Sequence, residues 1–386
     1  VIKKIALMTG GGDCAGINAF IAAAVRRGVE GYGAEFLGIR KAFEGAAADN
    51  IEEHLIPLDK EAVVGLENKP SSILASSRFN PFSDANRSRN VPQKLLENLK
   101  RIGVDAVLAT GGDDTIGSAM GLAEMGFPVV AAPKSVDNDV SGTDTMLGFK
   151  TAVAFGATAF RSTAESARTH SRISLVEIMG REAGWLALEI GIAGGADVIL
   201  IPEKAVDLAG LMGRIETIYR RQGYVNIAVA EGLKISPEDP LLQEARAEIP
   251  VVRALLEEDL GRDAHGNPKL GGVGQLLRRI ICHRLGLKKL EKVRATDLGY
   301  TLRGLAPIAD DVILGTRFGL AAVDYLFAGV TGRMTGLQGT RIVPVPFADA
   351  LVPKTVDWLD QELESAGVYC QRSAEAAWGR VRETGG

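Results

Sequence analysis

The chain of 386 residues is poor in several features that settle function elsewhere. Its three cysteines, Cys14, Cys282 and Cys370, are odd in number and far apart. That excludes a disulfide framework or a cysteine metal site and reads as free thiols in a reducing, cytoplasmic compartment. The four histidines show no metal-ligand spacing. Charge of neither sign dominates, and a net −4 gives no electrostatic case for a nucleic-acid or membrane partner. No apolar run reaches the roughly 18 residues of a membrane span, and a signal-peptide pattern is absent from the N-terminus. Aromatics make up only 5%.

What is abundant is glycine, 46 residues, within a chain that is 46% hydrophobic and long enough for two domains with substantial cores. That balance suits α/β folds with many tight strand-to-helix turns. Apolar runs predict strands at Ile2–Met8, Phe36–Ile39, Ala106–Thr110, Val129–Ala132, Ser174–Met179, Val198–Ile201 and Asn226–Ala230. Helical patterns fall at Asn18–Val29, Val91–Arg101, Thr115–Met125 and Leu208–Gln222. The alternation predicts parallel sheets covered on both faces, with ligands at the carboxyl ends of strands. Ser236–Leu290 reads as a helical insertion with a surface turn around Gly-Arg-Asp-Ala-His-Gly-Asn-Pro.

Three turns carry chemistry. Gly10-Gly11-Gly12-Asp13 follows the first strand, and its N–H groups can cradle a phosphate. It also reads as a plain tight turn before a capped helix. Ala15 breaks the Gly-x-Gly-x-x-Gly of a dinucleotide-binding oxidoreductase. Gly111-Gly112-Asp113-Asp114-Thr115 sets two adjacent carboxylates in a glycine turn, where Mg²⁺ would relieve the repulsion between one of them and a phosphate. A helix N-cap accounts for one aspartate better than for two. Pro133-Lys134-Ser135-Val136-Asp137-Asn138-Asp139 offers a lysine as a point charge for phosphate and an aspartate to take a hydroxyl proton. The competing reading is a surface loop with Asx turns. Together the turns supply what phosphoryl transfer needs.

With Ser77-Arg78-Phe79, the run Arg172 to Arg181 and the run Arg294 to Gly304, these turns resemble the phosphofructokinase family over Lys3 to about Gly336. The resemblance implies two similar Rossmann-like three-layer α/β domains with parallel-rich sheets and an active site in the cleft between them. One would hold residues 1–148 with 302–350 and bind the phosphoryl donor. The other would hold 149–301 with 351–386 and bind the sugar phosphate. By resemblance, Gly11, Gly12, Arg78, Gly112, Asp113, Asp114 and Thr115 hold the donor, and Asp113 binds Mg²⁺. Asp137 is the base, Asp139 its acidic companion, and Lys134 and Arg181 complete the catalytic group. Ser135, Asp137, Met179, Gly180, Arg181 and Glu231 meet the acceptor. Arg172, Arg294 and Arg303 reach its phosphate, the first two from a neighbouring subunit of a homodimer or homotetramer. Tyr300 stands where many ATP-dependent members carry histidine.

Asp114 and Lys134, each commonly glycine in ATP-dependent members, resemble the pyrophosphate-dependent branch. A carboxylate at 114 would crowd and repel the α-phosphate and ribose of ATP. The expected reaction is reversible transfer from pyrophosphate to the 1-hydroxyl of fructose 6-phosphate, a step of glycolysis and gluconeogenesis. An ATP-dependent enzyme, or a pyrophosphate-dependent kinase of another acceptor such as sedoheptulose 7-phosphate, are the alternatives. Relatives carry glycine within the stretch occupied here by Pro70-Ser71-Ser72-Ile73-Leu74-Ala75.

Overall fold

The computed structural model describes residues 2–258, 261, 270–287 and 290–370. Among these residues the chain divides into two compact units, one built from 2–155 and 300–354, the other from 156–258, 261, 270–287, 290–299 and 355–370. The first boundary falls inside the helix Phe149–Thr169.

Unit 1 is organised by a seven-stranded sheet. Its strands are β1 (Lys4–Thr9), β2 (Glu35–Ile39), β3 (Leu55–Leu58), β4 (Ala106–Gly111) and β5 (Val129–Pro133), followed much later in the chain by two more. Unit 2 contributes β6 (Ile173–Ile178), β7 (Val198–Leu200), β8 (Val225–Ala230) and β9 (Val293–Asp297). The chain then returns to unit 1 with β10 (Arg333–Gln338) and β11 (Arg341–Pro346). The order in unit 1 is β11-β10-β5-β4-β1-β2-β3, parallel through the middle and antiparallel at both edges. Unit 2 orders its four parallel strands β7-β8-β6-β9.

The central strands are the apolar runs of the sequence, and β4 and β5 are buried at every position. Helix Ile17–Tyr32 packs on helix Ala309–Phe327. They approach backbone to backbone, because a Cβ on Gly315 would lie 2.6 Å from the Gly16 carbonyl and one on Gly319 equally close to that of Phe20. Residues of helices Ala42–Ala46, Val91–Arg101 and Asp113–Glu124 (Phe43, Leu95, Leu99, Ile116 and Leu122) join a separate core cluster with Val107, Ala109 and Val129 of the sheet.

Strands β3, β9, β10 and β11 escape the sequence reading; β3, β9 and β11 lie at edges, where pattern is weak, and β10 lies next to the edge, between β11 and β5. Pro57, Pro344 and Pro346 sit on edge strands, the place a sheet tolerates a residue without an N–H. The stretch expected as a helical insertion contains helices Pro240–Glu248, Pro250–Glu257 and Val273–Arg284. Leu241, Val252, Leu277 and Ile280 from these join the core of unit 2. Of its expected surface turn, 261–268, all but Gly261 lies outside the described residues. Among the described residues no helix is long and apolar enough to cross a membrane.

Candidate active site

The three chemical turns leave the carboxyl ends of β1, β4 and β5, which are neighbours in one parallel sheet. β2 lies on one side of β1 and β4 on the other, so the chain reverses its direction of growth here, where open α/β sheets bind ligands.

Lys134 organises the site. It is only 2% exposed, and its Nζ donates to the Gly10 carbonyl at 2.6 Å and to that of Gly12. Burial pushes this ammonium down to about 8, with Arg303 and Arg78 adding to the effect and Cys14 and Asp13 opposing it. Gly11 is left-handed (φ 78°), a conformation that costs glycine nothing. Its N–H goes to the Ser77 carbonyl at 2.9 Å, as that of Gly10 goes to Thr110. Two of the four N–H groups expected to cradle phosphate are therefore used to fix the turn. Charge for a phosphate comes instead from side chains. The Arg303 guanidinium lies so near Gly12 that any Cβ there would overlap it. Arg303 Nε is buried without a hydrogen-bond partner, and its guanidinium carbon lies 5.3 Å from the centre of the Tyr300 ring. Tyr300 itself is 78% exposed. Both belong to unit 1, so Arg303, expected at the sugar phosphate, lies against the donor turn of its own chain.

Gly112 is the N-cap of helix Asp113–Glu124, whose first turn carries Asp113 and Asp114. The Asp114 N–H donates to Asp113 Oδ1 at 2.8 Å. Thr115 is buried against Gly10 and Gly111, with its Oγ1 where a Cβ on Gly10 would need room. Arg78 and Asp114 line one pocket of about 390 Å³.

In the third turn, the Asp137 N–H donates to Ser135 Oγ at 3.1 Å. Asn138, between the two aspartates, is buried and left-handed (φ 55°), a region where asparagine is the best tolerated residue after glycine. Its side chain accepts from the Met146 N–H at 3.0 Å and donates to the Asp144 carbonyl at 3.3 Å. This clamp pins the loop between the two aspartates, and no expectation from sequence assigned it a catalytic or binding role. Asp139 is partly exposed as a residue, yet its Oδ1 is buried and unpartnered. Burial, then the charges of Asp137 and Asp113, hold its carboxyl up at about 7. Three carboxylates thus share one field, and that mutual repulsion is what a divalent cation relieves.

The stretch Pro70–Ala75 shows what its departure from the glycine-bearing pattern entails. Ser71 (φ 56°) and Ala75 (φ 54°) are left-handed without being glycine. Ser71 Oγ donates to Asp13 at 2.9 Å, and Ala75 accepts from Thr9 Oγ1 at 2.6 Å, so the donor turn and this stretch hold one another.

In unit 2 the expected sugar residues separate into two groups. Met179, Gly180 and Arg181 follow β6, and Glu231 follows β8 at the same end, where the Gly180 N–H reaches Glu231 Oε1 at 3.4 Å. Arg172 precedes β6, and Arg294 opens β9 opposite Ser174. The six residues of β6 span roughly 20 Å, so one chain places these arginines at the far end of the sheet from Arg181 and Glu231.

A family model described as phosphofructokinase matches residues 4–326. A pyrophosphate–fructose 6-phosphate 1-phosphotransferase of Streptomyces coelicolor is 40% identical over 356 residues, 92% of this chain and 96% of that one. An ATP-dependent 6-phosphofructokinase 2 of the same organism is 36% identical over 355 residues, with the same two coverages. The solved structure of a pyrophosphate-dependent phosphofructokinase from Nitrosospira multiformis shares the fold, with a TM-score of 0.76 at 20% identity over 96% of this chain and 89% of that one. On the family match and the identity to these relatives, the chain belongs to the phosphofructokinase family.

Proposed function

We propose that this phosphofructokinase is a cytoplasmic enzyme that moves a phosphoryl group from pyrophosphate to the 1-hydroxyl of fructose 6-phosphate, reversibly and with Mg²⁺. The observation that carries the donor is Lys134. Its ammonium lies buried beneath the glycine turn, and two contacts to carbonyls leave one of its three N–H donors to be accounted for. A pyrophosphate at this turn meets Lys134, the unpartnered Nε of Arg303 and the N-terminus of helix Asp113–Glu124. Asp114 opposes a third phosphate. The name of the first Streptomyces relative agrees with this reading.

Asp113 would hold Mg²⁺, beside Asp137 and Asp139, and the ion when bound neutralises charge on the transferring phosphoryl group. Asp137, oriented by Ser135 and the Asn138 clamp, takes the proton of the attacking hydroxyl. Met179, Gly180, Arg181 and Glu231 receive the sugar. Arg172 and Arg294, at the other end of their sheet, serve the sugar phosphate of a neighbouring subunit, which makes the working enzyme a homodimer or homotetramer. Catalysis rests on positioning and charge neutralisation.

ATP as donor is the second reading, favoured by the pocket of about 390 Å³ beside Asp114 and by the ATP-dependent relative. Purified protein with Mg²⁺ and fructose 6-phosphate, given pyrophosphate or ATP, separates the two. A kcat/KM for pyrophosphate far above that for ATP is expected, and equal values would overturn the donor assignment.

A further inference from the structure

We propose that Glu44 is a second donor-specificity residue, which closes the outward end of the donor site to any phosphoryl donor longer than pyrophosphate. The proposal rests on the pyrophosphate reading above and adds a residue to which no donor role has been given.

The pocket beside Asp114 is lined by Glu44, Ser77, Arg78, Phe79 and Asn80 as well. All belong to unit 1. It contains two carboxylates and one guanidinium, an unfavourable balance for an anion. Lys41 reaches Glu44 Oε1 only at 3.5 Å, and both side chains are about half exposed, so that pair screens the carboxylate weakly.

Glu44 is held where it stands. Its Oε2 accepts from Ser77 Oγ at 2.5 Å, and the Ser77 carbonyl accepts the Gly11 N–H at 2.9 Å. One serine therefore ties this carboxylate to the donor turn. The short helix Ala42–Ala46 that carries Glu44 is entered through two successive left-handed residues, its N-cap Lys41 (φ 59°) and its first residue Ala42 (φ 47°). Neither is glycine, and such conformations persist only where surrounding contacts impose them. Here the Lys41 N–H is fixed on the Leu74 carbonyl at 3.0 Å and that of Arg40 on His54 at 2.8 Å.

Pyrophosphate ends at its second phosphoryl group. A nucleoside triphosphate or inorganic tripolyphosphate continues with a third charged phosphate, and the pocket beside Asp114 is the space open to it. There it meets the carboxylates of both Asp114 and Glu44. Removing Asp114 alone leaves the second carboxylate in place, so each of the two adds its own repulsion against a longer donor.

The test measures kcat/KM for pyrophosphate, inorganic tripolyphosphate and ATP in the full-length protein. The variants are Glu44→Gln, Glu44→Leu, Asp114→Gly and Asp114→Gly combined with each Glu44 change. Removing the charge at 44 should raise the ratio of tripolyphosphate to pyrophosphate use about tenfold, and that of ATP similarly, most clearly in the Asp114→Gly background. A circular-dichroism spectrum and melting transition like those of the wild type show that a variant is folded, and the two replacements at 44 guard against one failing to fold. Ratios unchanged by both Glu44 variants overturn the role of Glu44 while leaving the pyrophosphate reading intact. An ATP ratio that falls in the double variants overturns it too, since Glu44 would then be an acceptor for the ribose hydroxyls. Wild-type protein using ATP as well as pyrophosphate overturns the donor reading itself, whatever Glu44 does.

Discussion

The two units of this chain treat their candidate residues in opposite ways. In unit 1, groups from positions far apart in sequence gather at one end of one sheet: the Gly10–Gly12 carbonyls, the Lys134 ammonium and the Arg303 guanidinium. Asp113, Asp137 and Asp139 gather likewise, since each of the first two raises the carboxyl of the third. In unit 2 the candidate groups split, with Met179–Arg181 and Glu231 at one end of the sheet and Arg172 and Arg294 at the other. The difference teaches which half of a site one chain can complete. The groups proposed for donor and base belong to one chain and are held by contacts such as those of Lys134. The groups proposed for the sugar phosphate are divided, and the six residues of β6 separate the two arginines from Arg181 and Glu231, a span that a single sugar phosphate could not bridge.

The largest test of this contrast is at Asp137. If unit 1 holds a complete catalytic group, Asp137→Ala should lower kcat by about 10²–10⁴, the usual range for losing a general base. KM values for both substrates should change much less, because the proton transfer belongs to the transition state. Steady-state kinetics on the folded variant decides it, and near-normal turnover would mean that the base lies elsewhere.

A smaller effect tests the divided half. Arg172→Ala and Arg294→Ala each remove a charge-assisted contact to phosphate, so kcat/KM for the sugar phosphate should fall by roughly 10- to 100-fold, with KM for pyrophosphate little moved. Both losses depend on a second chain supplying the arginine. Sedimentation at assay concentration should therefore show an oligomer whenever the enzyme is active. A fully active monomer would break the comparison, because the far-end arginines would then have no pocket to serve.

The same contrast governs what could be read from the sequence. Buried parallel strands β1, β4 and β5 are legible because both faces are apolar, and the turns after them stand out as glycine and aspartate against that background. The helix Val91–Arg101 is found where its apolar periodicity puts it. Edge strand β9 is not legible, since only Val293 of its five residues is buried, although it carries Arg294. The direction of Lys134 is also hidden. A lysine in a loop suggests a charge aimed outward at phosphate, whereas this one turns inward beneath the glycine turn. The supporting residues Asn138, Ser71 and Ala75 act through left-handed backbone. Only Asn138 carries a compositional hint of it.

Lys134 also offers the finest test, through pH. Its ammonium titrates at about 8 in the folded protein, against an ordinary 10.5, because burial disfavours the charged form. If that charge serves the donor, kcat/KM for pyrophosphate should decline as pH rises through about 8, by only a factor of about two at the midpoint. Lys134→Met should lower the plateau and remove this limb, and comparing the two profiles cancels any titration of pyrophosphate itself. Stability should move the other way. A depressed lysine means that, between about 8 and 10.5, the unfolded chain binds more protons than the folded one, so stability gains with rising pH across that window. Below about 8 both states are protonated and the burial penalty is felt in full. Denaturation of wild type and Lys134→Met between pH 7 and pH 10 should thus show the wild type gaining relative to the variant as activity with pyrophosphate is lost. Parallel profiles in both measurements would mean that Lys134 keeps its charge throughout. The carbonyls of Gly10 and Gly12 would then outweigh the cost of its burial.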